Sequence, residues 1–274
     1  VTLNGTDYER AAIEIMRAAH RAGAAIMRIY RSAPRVEYKA DRSPVTDADR
    51  AAEEILIAAL SELMPDVPVI AEERTAAGFV PQTGSTFFLV DPLDGTKEFL
   101  KFNGEFTVNV ALIEDSRPVF GLIYAPDRGD CFVTLNRGKA FRCRLAVEQD
   151  VPKDLAFTPL NGESAAARPF TAIISRSHPR PEALSFMESL GNPPRETAGS
   201  SLKFGLLASG EADVYPRFGP TSEWDIAAGQ AILEAAGGAV VDLSGEPLRY
   251  GNREGGFINP PFIAWRRLPG EKPS

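Results

Sequence analysis

The chain has 274 residues, 44% hydrophobic and 24% charged, enough apolar material for one large domain or two closely packed lobes. Its net charge of -7 excludes long-range attraction to nucleic acid or anionic lipid, so a polyanionic substrate has to be drawn in by local cations or bound metal. No apolar run reaches the roughly 20 residues that span a bilayer, and the first residues lack the apolar core of a signal segment, so the protein is expected in the cytoplasm, with peripheral attachment at the inner membrane left open.

Thr6 or Asp7 can cap a long helix running to about Tyr30, in which Ile13, Met16, Ala19, Ala22, Ile26 and Ile29 recur on one face. Pro34 and Pro44 break the segment that follows. A second helix is predicted from about Asp47 to Leu63, stopped by Pro65, and "VPVIAEE" reads as a short strand ending on Glu72 and Glu73. The stretch "FFLVDPLDGTKEF", Phe87 to Phe99, is an apolar strand that ends on two aspartates, with Gly and Thr just behind them.

Four β-rich runs come next, "FTVNVALIED", "RPVFGLIYAP", "GDCFVTL" and "KAFRCRL", and the simplest wiring is an antiparallel meander. Cys131 and Cys143 lie in this region, and their spacing fits neither a zinc site nor a disulfide scaffold, so both are expected to be reduced packing residues. The polar, Pro-containing stretch 148–169 is the expected seam between an N-terminal α+β lobe, 1–150, and a C-terminal α/β lobe, 151–274. Beyond it strands and helices alternate: "FTAIIS", "RPEALSFMESL", "SSLKFGLLASG", "ADVYP", "DIAAGQAILEAAGG" and "AVVDL".

Asp-Pro and Asp-Gly are turn dipeptides, and "DPLDGT" alone reads as a loop or as a metal site. Three other acidic sites also fall at element ends: Asp49 in the first turn of the second helix, Glu72 with Glu73, and Asp225 at the head of a C-terminal helix. Each has a local explanation, Thr46 with Asp49 as a capping box and Asp225 as a cap or a favourable charge on the helix dipole. One shared purpose accounts for all four together. A hard cation such as magnesium takes a few carboxylates and keeps water and phosphate as its remaining ligands. Asp91 and Asp94, with the Leu93 carbonyl between them, offer three oxygens from one turn, Glu72 and Asp225 can add oxygens from other elements, and Thr96 with Asp49 can orient a water.

The ordered set Asp49, "EE" at Glu72 and Glu73, "DPLDGT" at Asp91 to Thr96, and "WD" at Trp224 and Asp225 resembles the signature of the inositol monophosphatase superfamily. Within it, "DGTKEFLKFNGEFTVNVALI" and "GSSLKFGLLASGEADVYPRFGPTSEWDIAAGQA" are similar to the 3′(2′),5′-bisphosphate nucleotidases of the CysQ type. The resemblance implies a mixed α/β fold, the layered αβαβα sandwich of the inositol monophosphatase and fructose-1,6-bisphosphatase type. It implies Glu72, Asp91, the Leu93 carbonyl, Asp94 and Asp225 as ligands of two or three Mg2+ ions, with inhibition by Li+ and Ca2+. Asp49 and Thr96 would activate water, and Lys39 with Asp41 would match a loop that approaches an additional metal, although a solvated charged loop explains that pair equally well.

The implied reaction removes the 3′-phosphate of adenosine 3′,5′-bisphosphate, and with it the possible conversion of the sulfated analogue, in sulfur metabolism. An inositol monophosphatase is the alternative, and a non-catalytic nucleotide sensor or RNA-associated regulator a more distant one. The implied partner is a small phosphorylated nucleotide, with no nucleic acid and no integral membrane segment, and the protein a monomer or homodimer. Residues matching Thr96, His178, Ser200, Lys203, Arg217 and Asp225 would contact the nucleotide. Ser200 and Ser201 open a helical stretch, where unpaired N–H groups favour an anion and Lys203 adds charge, or else one of the serines is simply an N-cap. Arg217, after "DVYP", is either a phosphate contact or a surface ion pair. Phe102 stands where the family pattern leads one to expect a basic residue.

Overall fold

The structure is a computed structural model and describes residues 5–32, 36–38, 44–152, 154–162, 168–176 and 180–269. Helix α1 spans Gly5–Tyr30, so Thr6 and Asp7 fall inside its first turn and not before it. Met16, Ala19, Ala22 and Ile26 are buried as the helical spacing requires, whereas Ile13 and Ile29 are only partly covered. Strands β1 (Val36–Tyr38) and β2 (Pro44–Thr46) pair antiparallel and lead into α2 (Asp47–Leu63).

Strand β3 (Val69–Ala71) is followed by the short helix α3 (Glu72–Ala76) and by β4 (Thr86–Asp94), which runs parallel to β3. After α4 (Thr96–Leu100), strands β5 (Thr107–Glu114), β6 (Arg117–Ala125), β7 (Asp130–Asn136) and β8 (Lys139–Arg144) form the expected meander. A short β9 (Thr158–Leu160), drawn from the expected seam, pairs with β8 and completes a sheet of order β3-β4-β5-β6-β7-β8-β9.

The remaining elements are β10 (Ala172–Ser175), α5 (Pro181–Ser189), β11 (Arg195–Ala198), α6 (Leu202–Ala208), β12 (Val214–Arg217), α7 (Glu223–Ala235), β13 (Ala239–Asp242) and β14 (Phe262–Trp265). Their strands make a second sheet of order β11-β10-β12-β14-β13, parallel around β10 and antiparallel around β14.

Strand alternation explains the layering. In β4, Phe88 and Val90 point into a core shared with Met16, Ile26 and Leu56 of α1 and α2, while Phe87 and Leu89 enter a second core with Phe204, Ile226 and Ile232 of α6 and α7. That second core continues into Ile173, Tyr215 and Phe262 of the second sheet, whose far face packs Val214 and Trp265 on Met187 of α5. The succession is helix, sheet, helix, sheet, helix, the αβαβα sandwich that the motifs imply. A sheet buried on both faces explains why its strands read as nearly unbroken apolar runs.

Helix α7 lies so close to the first sheet that a Cβ at Gly121 of β6 would sit 2.2 Å from the Ala228 carbonyl oxygen. Cys131 and Cys143 are reduced, buried and directly opposite each other on β7 and β8. Among the described residues no helix is long and apolar enough to cross a membrane.

Candidate active site

The strand β4 ladder holds as far as Asp91, opposite Asn109, and its register then shifts before Asp94 pairs with Thr107. In the irregular turn the Asp91 carboxylate accepts the Leu93 N–H at 3.0 Å, the bond that Asp offers a turn two residues on. Gly95 follows with φ of 92°, a conformation that glycine adopts without strain, and it places Thr96 at the head of α4.

The Thr46 and Asp49 pair is the capping box expected of α2, with Asp49 Oδ2 accepting both the N–H and the hydroxyl of Thr46 at 2.7 Å. Those bonds fix the carboxylate, whose other oxygen, Oδ1, accepts the Thr96 hydroxyl at 3.3 Å. Asp49 thus serves the α2 cap and accepts the Thr96 hydroxyl at once. Likewise, Asp225 is the third residue of α7 and accepts the Ser222 N–H at 2.9 Å, so Ser222, and not Asp225, is the N-cap.

Glu72 opens α3, whose N-terminus is held from α2: buried Glu53 accepts the Glu73 N–H at 2.8 Å and the Arg74 N–H at 3.1 Å. Burial pushes the Glu53 carboxyl up against those two bonds. The start of α3, the irregular end of β4 and the first turn of α7 bring Glu72, Asp91 and Asp225 together, each offering one carboxylate oxygen within 4.8 Å of the others. Burial first, then the charges of Asp94 and Glu72, push the Asp225 carboxyl well above the usual range. Converging acidic oxygens that repel one another in a half-buried cleft are a donor set matched to a hard divalent cation.

Asp94, Leu93, Thr96, Ser200, Lys203 and Arg217 line the same cleft of about 250 Å³. Lys203 lines the cleft with its ammonium bonded to backbone carbonyls. It is buried, its ammonium donates to the Ser200 carbonyl and, at 3.4 Å, to that of Ala198, and it lies 5.1 Å from the Tyr215 ring centroid. Burial pushes this amine down to about 8, with Asp94 opposing the shift. Arg217 Nη2 donates to the Pro220 carbonyl at 3.1 Å, and its Nε is buried with no partner among the described residues. Ser200 has φ of 53° and its hydroxyl meets that of Thr107.

The helix α6 that follows is seven residues long, and its N-cap Ser201 makes no side-chain cap bond. Its hydroxyl is engaged elsewhere, at 2.8 Å from Asp94 and 2.6 Å from the Asp225 carbonyl. Phe102 is exposed and packs on Tyr30 with ring centroids 5.1 Å apart. Lys39, Asp41 and His178 lie outside the described residues.

Sequence reasoning missed Glu53, Glu105, Thr107 and Asn109. The signal for the last two was present: they stand at alternate positions of a strand whose next same-face residues, Ala111 and Ile113, are apolar. Two buried polar side chains in that row need partners.

A profile of the inositol monophosphatase family matches residues 7–267. The 3′(2′),5′-bisphosphate nucleotidase CysQ of Salmonella typhimurium is 45% identical over 251 residues, 91% of this chain and 97% of that protein. The protein of the same name from Escherichia coli K12 is 43% identical with the same coverage. A crystal structure of CysQ from Bacteroides thetaiotaomicron, described as a bacterial member of the inositol monophosphatase family, superposes with a TM-score of 0.76 at 39% identity, covering 94% of this chain and 97% of that one. By profile, by identity along nearly its whole length and by fold, this chain belongs to the inositol monophosphatase family.

Proposed function

We propose that the protein is a magnesium-dependent phosphatase that hydrolyses the 3′-phosphate of adenosine 3′,5′-bisphosphate to AMP and phosphate. The observation that carries this most is the convergence of the Glu72, Asp91 and Asp225 carboxylates in the cleft that is also lined by Thr96, whose hydroxyl is bonded to Asp49. The nucleotide enters from the names of the relatives, which are 3′(2′),5′-bisphosphate nucleotidases.

Glu72, Asp91, Asp94, Asp225 and the Leu93 carbonyl are the groups assigned to hold magnesium. Bound there, the ions supply positive charge to the phosphoryl oxygens and make a nearby water more acidic. The protein's own part is proton handling and orientation. With its proton directed to Asp49 Oδ1, the Thr96 oxygen accepts a hydrogen bond from the attacking water and passes the proton toward the carboxylate. Asp49 Oδ2, held twice by Thr46, keeps the carboxylate from turning away. Lithium, as a smaller charge in a magnesium position, and calcium, with its longer oxygen distances, are expected to inhibit.

The partnerless Nε of Arg217 supports assigning this residue to the phosphate or ribose of the nucleotide that does not react. Lys203 is assigned to the Ser200 loop through its carbonyl bonds, so that Ser200 meets the substrate and Lys203 holds Ser200. His178, Lys39 and Asp41 keep their expected roles toward nucleotide and additional metal.

Phosphate release from adenosine 3′,5′-bisphosphate and from inositol 1-phosphate, each with magnesium, tests the assignment. Arg217→Ala should lower kcat/KM for the bisphosphate by about 1.5 to 3 kcal/mol, the scale of a charge-assisted hydrogen bond, and leave inositol 1-phosphate hydrolysis nearly unchanged. An equal fall on both substrates, or faster wild-type turnover of inositol 1-phosphate, would favour an inositol monophosphatase.

A further inference from the structure

Strand β5 places Thr107 and Asn109 on the face that looks toward α6 and α7, both without solvent exposure. Their hydrogen bonds have a single consistent direction. The Thr107 hydroxyl is 2.9 Å from Asn109 Oδ1, an atom that can only accept, so Thr107 gives its one proton there. The contact between the Ser200 and Thr107 hydroxyls then has Ser200 as donor.

With its oxygen facing Thr107, the Asn109 amide turns both N–H groups the other way, to Ser201 Oγ at 2.9 Å and to Asp94 Oδ2 at 3.4 Å. A flipped amide would set its oxygen against the Asp94 carboxylate, two acceptors with no proton between them, so the network itself settles the orientation. Ser201 Oγ accepts from Asn109, and its one proton lies between Asp94 Oδ2 at 2.8 Å and the Asp225 carbonyl at 2.6 Å.

We infer that Asn109 is a positioning residue: with Ser201 it fixes the Asp94 carboxylate from behind and ties it to α7, the helix that carries Asp225. The inference rests on the proposed role of Asp94 as a metal ligand. Asp94 lies past the register shift of β4, paired there with Thr107, and backbone pairing leaves its carboxylate to be oriented by side-chain donors. Asn109 supplies one from β5, Ser201 supplies another from the start of α6 through a proton it shares with the Asp225 carbonyl, and Oδ2, engaged by both, leaves Oδ1 for the cleft that Asp94 lines. Groups that orient a metal ligand in this way typically change metal affinity by about 10- to 100-fold.

Mn2+ binding to the purified protein, followed by electron paramagnetic resonance without substrate, provides the test. Asn109→Leu should weaken Mn2+ binding about 10- to 100-fold, and Thr107→Val, which keeps the shape and removes the donor that orients the amide, should weaken it in the same direction by less. In an Asp94→Asn background, itself weakened, Asn109→Leu should have no further effect, because the residue acts only through Asp94. Thr107→Val is put through the same cycle, so the result does not depend on Asn109→Leu folding.

If Asp94→Asn weakens Mn2+ binding while Asn109→Leu and Thr107→Val bind as tightly as wild type, the positioning role is overturned and the metal assignment stands. The positioning role also falls if the two substitutions cost as much in the Asp94→Asn background as alone, since that marks a general disturbance of the core. Unchanged Mn2+ binding in Asp94→Asn overturns the metal role of Asp94 and the inference with it.

Discussion

Replacing Glu105 probes the join between the two halves of the cleft from a residue outside the metal cluster. Its carboxylate, on the loop between α4 and β5, accepts Arg176 Nε at 2.7 Å and Nη2 at 3.0 Å, Arg128 Nη2 at 3.0 Å, and the Gly199 N–H at 2.8 Å. Gly199 directly precedes Ser200 and Ser201, so this one side chain sets the height of the loop that reaches Asp94. Burial acts to raise the carboxyl, and the Arg176 hydrogen bonds, the Gly199 N–H and the charges of Arg176 and Arg128 outweigh it and hold the group below the usual carboxylate range.

Glutamine keeps the volume and an oxygen for Gly199 and removes the charge. The Gly199 bond then drops from the scale of a charged acceptor, about 1.5 to 3 kcal/mol, to that of a neutral one, about 1 kcal/mol. The Arg176 and Arg128 side chains are 42% and 41% exposed, so water recovers most of what they lose and their share is about 0.2 to 1 kcal/mol each. Glu105→Gln should therefore cost about 1 to 4 kcal/mol. Glu105→Ala should cost more, because the buried Gly199 N–H is left without an acceptor, a further penalty of about 1 to 3 kcal/mol.

The pH dependence has a definite sign. A carboxyl held below its unfolded value contributes stability that is complete above that value and is lost as pH falls through the folded one. The gap between wild type and Glu105→Gln, measured by urea denaturation with circular dichroism, should be constant from neutral pH down to about 5 and close at lower pH. The same variant should raise KM for the substrate more than it lowers kcat. Equal stability of the two proteins at neutral pH, or a gap that persists unchanged into acid, would refute the account of Glu105 as a charged clasp.

Other substitutions test other parts of the same structure. Gly121→Ala would put a methyl 2.2 Å from the Ala228 carbonyl and 2.9 Å from Ala231 Cβ, forcing α7 off the sheet; a loss of about 1 to 3 kcal/mol in thermal denaturation and a raised magnesium requirement are expected, since Asp225 rides on that helix. Thr96→Val should lower kcat by about 100-fold or more with circular dichroism unchanged and Mn2+ affinity changed far less, because it removes the hydroxyl to which proton handling is assigned and that hydroxyl bonds no carboxylate of the Glu72, Asp91 and Asp225 cluster. Asp213 is buried and accepts Arg168 at 2.6 Å, Arg266 at 2.7 Å and the Thr171 N–H at 2.7 Å, which hold its carboxyl low against the effect of burial. Asp213→Asn should cost about 3 kcal/mol at neutral pH, the lower end for a broken buried pair because both arginines reach solvent, and this difference too should shrink in acid.

The local chemistry of the candidate site was legible in the sequence because it depends on neighbours along the chain. Thr46 with Asp49 satisfies the α2 N-terminus within three residues, Asp91 bonds the Leu93 N–H two residues on, and Gly95 releases the turn, so motif, cap and strand end could be placed without a fold. The two long helices and the meander were legible for a similar reason: their apolar periods repeat over many residues. Elements whose pairing lies far away were not. β11 reads "RETA" and is mostly exposed, and β14 is the four-residue "FIAW" held between β12 and β13.

What the tertiary structure decided is which polar groups meet across such separations. Ser201 reaches Asp94 across 107 residues and Asn109 across 92, and Glu105 reaches Gly199 across 94. Lys203 shows the same division. Its charge and its place beside Ser200 are in the sequence, but whether an ammonium faces a ligand or its own backbone depends on how deeply α6 sinks between the sheets. Packing buried it against Tyr215 and the Ser200 carbonyl. A chain records which residues can accept, donate or carry charge, and only the packed layers determine which of those groups lose water and must therefore find one another.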